Sequence, residues 1–444
     1  MGNAEPGGGL AKQTKMGGDG KRCGKSTPMM RPGAHSISRR EDIPTPANLA
    51  TAWRDEPGFV WLDSSATESP GLSLLARRPD LILEGCAGDW HRLEEELKKR
   101  KANSPDLGIP NGAAIGSFRF DGSFRFGFYD SLLIHGAEGW ISAPPPVPET
   151  EKEGWAEPSA PAVLPRFSPE MEREDYLRMV RRAQEFVAAG DIYQVCLAHR
   201  FSSPFRGDPW PLYRALREVS PAPHAAYLRL GDETILSSSP ECFLKMSGRR
   251  ISTRPIKGTR PRRRDPGEDE RQAFELKTSP KEIAELVMIT DLERNDLGSV
   301  CEFGSVAATQ LLHLERYAQV FHLVSTVEGE LRPGISQVKA LAACFPGGSI
   351  SGAPKKRALE IIRELEQAPR DLFTGAIGYF GYNGESQFNI AIRTVVIRGG
   401  RAEFHVGAGI TADSDPEKEW EETLHKAAGI LQATGEPARP RPAG

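Results

Sequence analysis

Between Phe118 and Phe126 the chain reads Phe-Arg-Phe-Asp-Gly-Ser-Phe-Arg-Phe, with aromatic residues at alternate places on either side of Asp121-Gly122. Alternate side chains of a strand share one face, and Asp-Gly supplies the positive φ of a tight turn. The stretch therefore predicts an antiparallel hairpin with one apolar face. Shorter strand-like runs precede it at Phe59–Leu62 and Leu81–Leu83, and others follow at Tyr227–Leu230, Ile235–Ser238 and Cys242–Met246. Gly375–Phe380, Asn389–Ile397 and Ala402–Val406 read as strands joined by Asn-Gly and Gly-Gly turns.

Helical spacing alternates with these runs. Tyr176, Met179, Val180, Phe186 and Val187 fall at three- and four-residue intervals within Ser168–Ala189, and Gly190 is the expected C-cap. Further helices are expected over Pro280–Thr290, Pro354–Glu366 and Pro416–Thr434. The fold class is therefore mixed, α/β or α+β.

A chain of 444 residues can bury a large core, as two or three domains or as one large unit. Residues 1–44 are rich in Gly, Lys, Arg and Ser, bury too little to offset their ordering entropy and read as a disordered tail. Residues 45–143 form an N-terminal region, and 144–167 a Pro-rich linker. Residues 168–435 form a larger domain and 436–444 a second tail.

With 57 Lys+Arg against 60 Asp+Glu there is no basic field to attract nucleic acid or an acidic membrane, and a small molecule is the better partner. The cysteines at 23, 86, 196, 242, 301 and 344 make no C-x-x-C pair or disulfide framework, which points to the cytoplasm. No run reaches the roughly 18 apolar residues of a membrane span, and no secretory signal opens the chain.

Three glutamates stand out for metal chemistry. Glu419 and Glu422 are three apart on the last expected helix and so share a face. Mg²⁺ takes few protein oxygens and fills its shell with water and substrate, so one more carboxylate, Glu285, completes a candidate site. Taken singly, each is an ordinary solvated helix acid.

Lys257, between Ile256 and Gly258-Thr259, lies where the chain can approach a ligand closely. As a neutral amine it is a nucleophile, a form favoured by burial or neighbouring cations. Phe345–Pro354 runs through three glycines into an expected helix, and its free N–H groups are placed to receive an anion. Arg393 interrupts an apolar strand, where a guanidinium calls for an acid.

In this order, the segments Gly190–Val195, Ser239-Pro240-Glu241, Pro255–Thr259, Asp291-Leu292-Glu293-Arg294-Asn295-Asp296, Gly347–Pro354, Ile392-Arg393 and Gly407-Ala408-Gly409 resemble the chorismate-utilising enzymes. That family includes anthranilate, aminodeoxychorismate and isochorismate synthases. The resemblance runs from about Ser168 to Gln432 and implies two large, mainly antiparallel sheets packed face to face, helices outside and the active site between them. Residues 45–143 resemble the family's N-terminal region more weakly, with Leu62–Ser65 placed like its tryptophan-binding segment.

The resemblance also implies roles. Glu285, Glu419 and Glu422 correspond to the Mg²⁺ ligands, the ion meeting the ring carboxylate of chorismate. Arg393 and the backbone of Gly407, Ala408 and Gly409 correspond to carboxylate-binding elements, with Gly258, Thr259, His322, Lys426 and Gln194 lining the same pocket. Phe373 stands where the family commonly has a tyrosine, which removes a contact of about 1 kcal/mol. Cys242 and Cys196 stand where arginine and asparagine are usual.

Lysine after Pro-Ile is the pattern of aminodeoxychorismate synthases, whereas anthranilate synthases usually have alanine. The implied reaction has Lys257 attack C2 of the ring with Glu241 as general acid on the C4 hydroxyl, before ammonia enters at C4. Isochorismate synthases use a water-activating lysine at the place of Gln194, which argues against hydroxylation. Gly85-Cys86-Ala87-Gly88 lacks the glutaminase nucleophile pattern, so a separate glutamine amidotransferase subunit is the expected ammonia source. Conversion onward to 4-aminobenzoate is expected of another enzyme.

Overall fold

In the computed structural model, residues 44–65, 71–102, 108–142, 163–317 and 319–436 are described. The expected hairpin is present: Ala113–Phe118 pairs with Phe124–Tyr129, Phe118 opposite Phe124, around Gly122 at φ 83°. Asp121 Oδ1 accepts the Ser123 N–H at 2.9 Å, closing the turn.

The hairpin belongs to a sheet ordered Ile256–Pro261, Val320–Glu330, Arg250–Arg254, Cys242–Ser247, Glu385–Ile390, Ala376–Gly381, Ala113–Phe118, Phe124–Tyr129 and Leu81–Gly85. Ala307–Arg316 also pairs with Val320–Glu330. The other sheet runs Gly352–Ala353, Gln194–Pro204, Arg401–Ile410, Thr394–Arg398, Glu233–Ser239, His224–Leu230, Val60–Asp63, Ser73–Ala76, Leu133–Gly136 and Gly139–Trp140. Ser168–Pro169 pairs beside Gln194–Pro204. Every strand pair among the described residues is antiparallel, as the resemblance implied.

Strand alternation builds the layers. Ala113 and Ile115 join Leu228, Ile235, Val396 and Ile377 in a core shared by the two sheets. From the same strand, Ala114 and Phe118 face outward with Phe126 and Phe388 onto Leu93 and Leu341 of helices Trp90–Lys99 and Gln337–Cys344. Each of these buried phenylalanines contributes roughly 2–3 kcal/mol. On the other sheet, Trp61, Tyr227 and Leu236 bury against Trp210, Tyr213 and Leu216 of helix Pro209–Val219. The sheets thus pack face to face with helices outside.

The expected division into an N-terminal region and a catalytic domain is not how the chain assembles. Val60–Asp63 pairs with His224–Leu230, and Ala113–Phe118 with Ala376–Gly381, so early strands enter both sheets of one unit, Glu41–Gly444. The reason is edge satisfaction: central strands of a late-sequence sheet need partners, and the early strands supply them. The expected tails, over 1–43 and 437–444, and the expected linker, over 144–162, lie outside the described residues.

Helix ends shifted as local chemistry required. The first long helix is Arg173–Ala188, because Ser168–Pro169 is taken into the sheet. Pro280–Gly298 runs eight residues past the expected end; Ser279 caps it through the Glu282 N–H. Lys355–Leu365 and Pro416–Ala433 fall close to expectation. Among the described residues, no helix is long and apolar enough to cross a membrane.

The expected strand Asn389–Ile397 is two strands in two sheets, Glu385–Ile390 and Thr394–Arg398. Between them the chain passes from one sheet to the other, with Arg393 at φ 49°. Glu233–Ser239 and Cys242–Ser247 make the same passage, with Pro240-Glu241 in between. The two crossings are tied together: Ile390 N–H donates to the Glu241 carbonyl at 3.1 Å, and the Ser239 hydroxyl to the Ile390 carbonyl at 2.6 Å. An apolar run alone does not reveal such a crossing, since both halves are buried strands.

Candidate active site

The two crossings carry the first pair of charged side chains. Glu241 is 5% exposed and its Oε1 has no hydrogen-bond partner. Burial raises its carboxyl above the usual range, opposed by the Ser349 hydroxyl, the Lys257 charge and the Ile256 N–H. The Arg393 guanidinium makes no hydrogen bond or ion pair among the described residues; burial presses its pKa down, and the charge of Glu241 opposes this. A guanidinium at a seam between sheets, in a left-handed backbone and without an acid, is a strained arrangement that a bound anion relieves. Arg393 therefore does not interrupt a strand, as the sequence implied, but stands between two.

Lys257 enters from edge strand Ile256–Pro261, where Gly258 at φ 75° forms a bulge between the pairs Lys257–Leu323 and Thr259–His322. A side chain at 258 would meet Leu276 at 2.6 Å and Glu282 at 2.9 Å, so only glycine fits there. Lys257 Nζ donates to the Ser349 carbonyl at 3.2 Å. Its charge acts on Glu241, Glu285 and Glu422, so it faces carboxylates rather than the expected cations. Thr259 Oγ1 lies 3.0 Å from His322 Nδ1. Burial and the Arg393 charge push His322 down to about 4, leaving a neutral ring at pH 7.

Two helix termini bring the glutamates. Glu285 projects from Pro280–Gly298, and Glu419 and Glu422 from Pro416–Ala433. Glu285 Oε1 and Glu419 Oε2 are buried without a hydrogen-bond partner. Lys281 Nζ stands between them, 4.0 Å from Glu285 Oε1 and 3.5 Å from Glu419 Oε1. Burial raises Glu285, opposed by Lys257 and Lys281. Burial acts on Glu422 the same way, but Lys426, whose Nζ is 2.7 Å from Glu422 Oε1, together with Lys281 and Lys257, outweighs it and leaves the carboxyl below its usual range.

Among the described residues no three His, Cys, Asp or Glu side chains close into a ready-made metal cage. The donor set nevertheless suits Mg²⁺, which takes one or two carboxylates plus water and substrate oxygens, and orphaned oxygens on both helices are available.

Gly407, Ala408 and Gly409 lie inside strand Arg401–Ile410, opposite Ala198, Leu197 and Cys196. Pairing with Thr394–Arg398 ends at Val396–Glu403, so past that point the other edge of the strand has no strand partner among the described residues. Lys426 Nζ donates to the Gly407 carbonyl on this stretch at 2.8 Å. A side chain at 409 would strike Gln194 Nε2 at 2.2 Å; Gln194 is buried, with Oε1 unpartnered.

One expectation changes here. The Gly347–Pro354 segment does not hold all its N–H groups free for an outside anion: Gly348 N–H already donates to Glu293 Oε1 at 2.9 Å. Phe373 stacks on His405 at 5.3 Å and 17° and lies 5.7 Å from the Arg370 guanidinium, so its ring serves that packing. Sequence reasoning missed Ser349, Lys281 and Arg370 as site residues. Only Lys281 had a local signal, its four-residue spacing from Glu285 on one helix.

The comparisons with known proteins agree with this geometry. The family described as chorismate binding enzyme matches residues 119–432. Anthranilate synthase component 1 of Thermus thermophilus is 43% identical over 380 residues, 81% of this chain and 79% of that protein. Aminodeoxychorismate synthase component 1 of Bacillus subtilis is 42% identical over 294 residues, 66% of this chain and 61% of that protein. The chain thus spans about four fifths of one relative and under two thirds of the other. The crystal structure of anthranilate synthase component I from Streptococcus pneumoniae superposes with a TM-score of 0.71 at 28% identity, covering 81% of this chain and 92% of that one. Two antiparallel sheets joined at paired crossings, an unpaired arginine at that seam and a family match over most of the length establish that the chain belongs to the chorismate-binding enzymes.

Proposed function

We propose that this chain is the chorismate-aminating component of an aminodeoxychorismate synthase, producing 4-amino-4-deoxychorismate for 4-aminobenzoate and folate synthesis. The observation that carries the reading is Lys257: its Nζ is held by the Ser349 carbonyl and shares its surroundings with the buried acid Glu241. Arg393 and the backbone of Gly407–Gly409 receive the substrate's carboxylates, and Thr259, neutral His322, Gln194 and Lys426 line the pocket.

Lys257, as the free amine, forms a bond from Nζ to C2 of the ring. The double bond shifts and the C4–O bond breaks, with Glu241 giving its proton to the leaving oxygen so that water departs. Burial raises the Glu241 carboxyl above its usual range, which favours the protonated form that a general acid needs. Ammonia then attacks C4, the double bond shifts back and the Nζ–C2 bond breaks, while Glu241 takes up the surplus proton. Glu285, Glu419 and Glu422 would hold Mg²⁺, which when bound supplies positive charge opposite the ring carboxylate. A glutamine amidotransferase subunit is the proposed ammonia source, and the cytoplasm the proposed compartment.

A second reading, anthranilate synthase component 1, is favoured by the 43% identity over 81% of the chain. Chorismate, Mg²⁺ and ammonium with the purified protein decide between them by product identification. 4-Amino-4-deoxychorismate supports the first reading, and anthranilate as the main product overturns it. Lys257→Ala should then lose at least 100-fold in kcat, whereas the second reading expects little change.

A further inference from the structure

Glu293 is a buried carboxyl that the reaction above does not use. It is 2% exposed, inside the Asp291–Asp296 motif on helix Pro280–Gly298. Oε1 accepts the Gly348 N–H at 2.9 Å, and Oε2 faces the Thr253 hydroxyl at 3.4 Å. A side chain at 348 would lie 2.8 Å from Leu292 and 3.0 Å from Glu293 Oε1, so the turn comes this close only as glycine.

The turn held in this way carries the atoms that meet the reacting pair. Ser349 presents its carbonyl to Lys257 Nζ at 3.2 Å, while its buried hydroxyl, itself without a hydrogen-bond partner, bears on the Glu241 carboxyl. Its neighbours are fastened elsewhere: the Ser351 hydroxyl donates to the Gly347 carbonyl at 2.9 Å, and Arg370 Nη1 to the Ile350 carbonyl at 3.0 Å. Of these fasteners, Glu293 fixes the residue directly before Ser349.

We propose that Glu293 is a positioning residue, which by accepting the Gly348 N–H sets where the Ser349 carbonyl and hydroxyl stand and hence how Lys257 and Glu241 face one another. The proposal rests on the reading of those two residues given above. Stability does not call for a carboxyl at this place, since an apolar side chain would avoid the desolvation of a buried acid. Burial pushes Glu293 up to about 7. The groups around it are Lys355, Asp296 and Glu241, with the Cys344 thiol nearby, and Lys355 is itself engaged by Asp296 and by the Cys344 carbonyl at 2.9 Å. Opposed charges leave the hydrogen bond to Gly348 as the specific contact.

Two substitutions separate position from charge. Glu293→Gln keeps the length and an accepting oxygen; Glu293→Asp keeps the charge and withdraws it by one methylene. With chorismate, Mg²⁺ and ammonium, the Gln variant is expected within about threefold of the wild-type kcat. The Asp variant should lose about 100-fold in kcat with KM for chorismate within about threefold, the scale of a 1 Å misplacement. Near-ultraviolet circular dichroism and Tm establish that both are folded. An active Asp variant beside an inactive Gln variant overturns the proposal, as does a fall in Tm for both with kcat untouched. Lys257→Ala keeps the two readings apart: wild-type activity there ends the functional reading, whereas an inactive Lys257→Ala with a failed Glu293 comparison ends only this one.

Discussion

Lys281 Nζ lies 3.5 Å from Glu419 Oε1, bridging the two helices that carry the three acidic residues of the site. This ammonium, with that of Lys426, offsets carboxylates that would otherwise repel one another. It is half-exposed and can withdraw to solvent. Lys281→Met should therefore lower the metal-free Tm and tighten Mg²⁺ binding by about tenfold, read by titration calorimetry and by the larger rise of Tm with Mg²⁺. Equal affinity in the two proteins would show that Lys281 does not compete for the site.

Arg393 carries an unpaired charge at the sheet crossing. Replacing it with leucine removes a desolvated guanidinium, so Arg393→Leu should unfold at a higher temperature than wild type. The same change removes the proposed carboxylate contact, and KM for chorismate should rise by about 100-fold or more, in line with the 2–5 kcal/mol of a buried charge pair losing one partner. A variant both less stable and equally able to bind would count against the assignment.

The pH dependence of stability follows from Glu293. Its carboxyl rises from an ordinary 4.5 to about 7 on folding, so the folded state holds the proton more tightly. The stability this contributes is fully present below about 4.5 and is lost as pH rises through about 7. Relative to wild type, Glu293→Gln should therefore gain stability between pH 5 and pH 8, on the order of 3 kcal/mol at 1.36 kcal/mol per unit. Urea unfolding at the two pH values measures it, and parallel curves would contradict the sign.

Arg370 is buried with Glu366, Nη2 to Oε1 at 2.7 Å, and also donates to the carbonyls of Ile350 and Cys196. Arg370→Met leaves Glu366 buried and unpaired, and a loss of 3–5 kcal/mol is expected in denaturant unfolding. Because Ile350 adjoins Ser349, kcat should fall as well. Loss of stability alone would place Arg370 outside the site.

Much of the local structure was legible in the residues. Phe118–Phe126 specified its hairpin because alternation and an Asp-Gly turn agree, and Pro416–Ala433 its helix because Asp415 caps the end and Pro416 opens it. Chain crossings were not legible. Asn389–Ile397 reads as one strand by composition, and only the pairing of its two halves with different neighbours reveals the break at Arg393.

The sequence by itself determined most of the elements that form, which motifs accompany one another and where the proposed nucleophile Lys257 and three glutamates stand along the chain. Tertiary structure decided what those groups meet. Glu241 and Arg393 are 152 residues apart in number and become neighbours because two strand-to-strand passages are hydrogen-bonded to each other. Lys281 opposite Glu419, and Glu293 beneath Gly348, likewise depend on long-range packing. Local propensity acts over a few residues, whereas a site at the seam of two sheets is set by which distant backbones satisfy one another's hydrogen bonds.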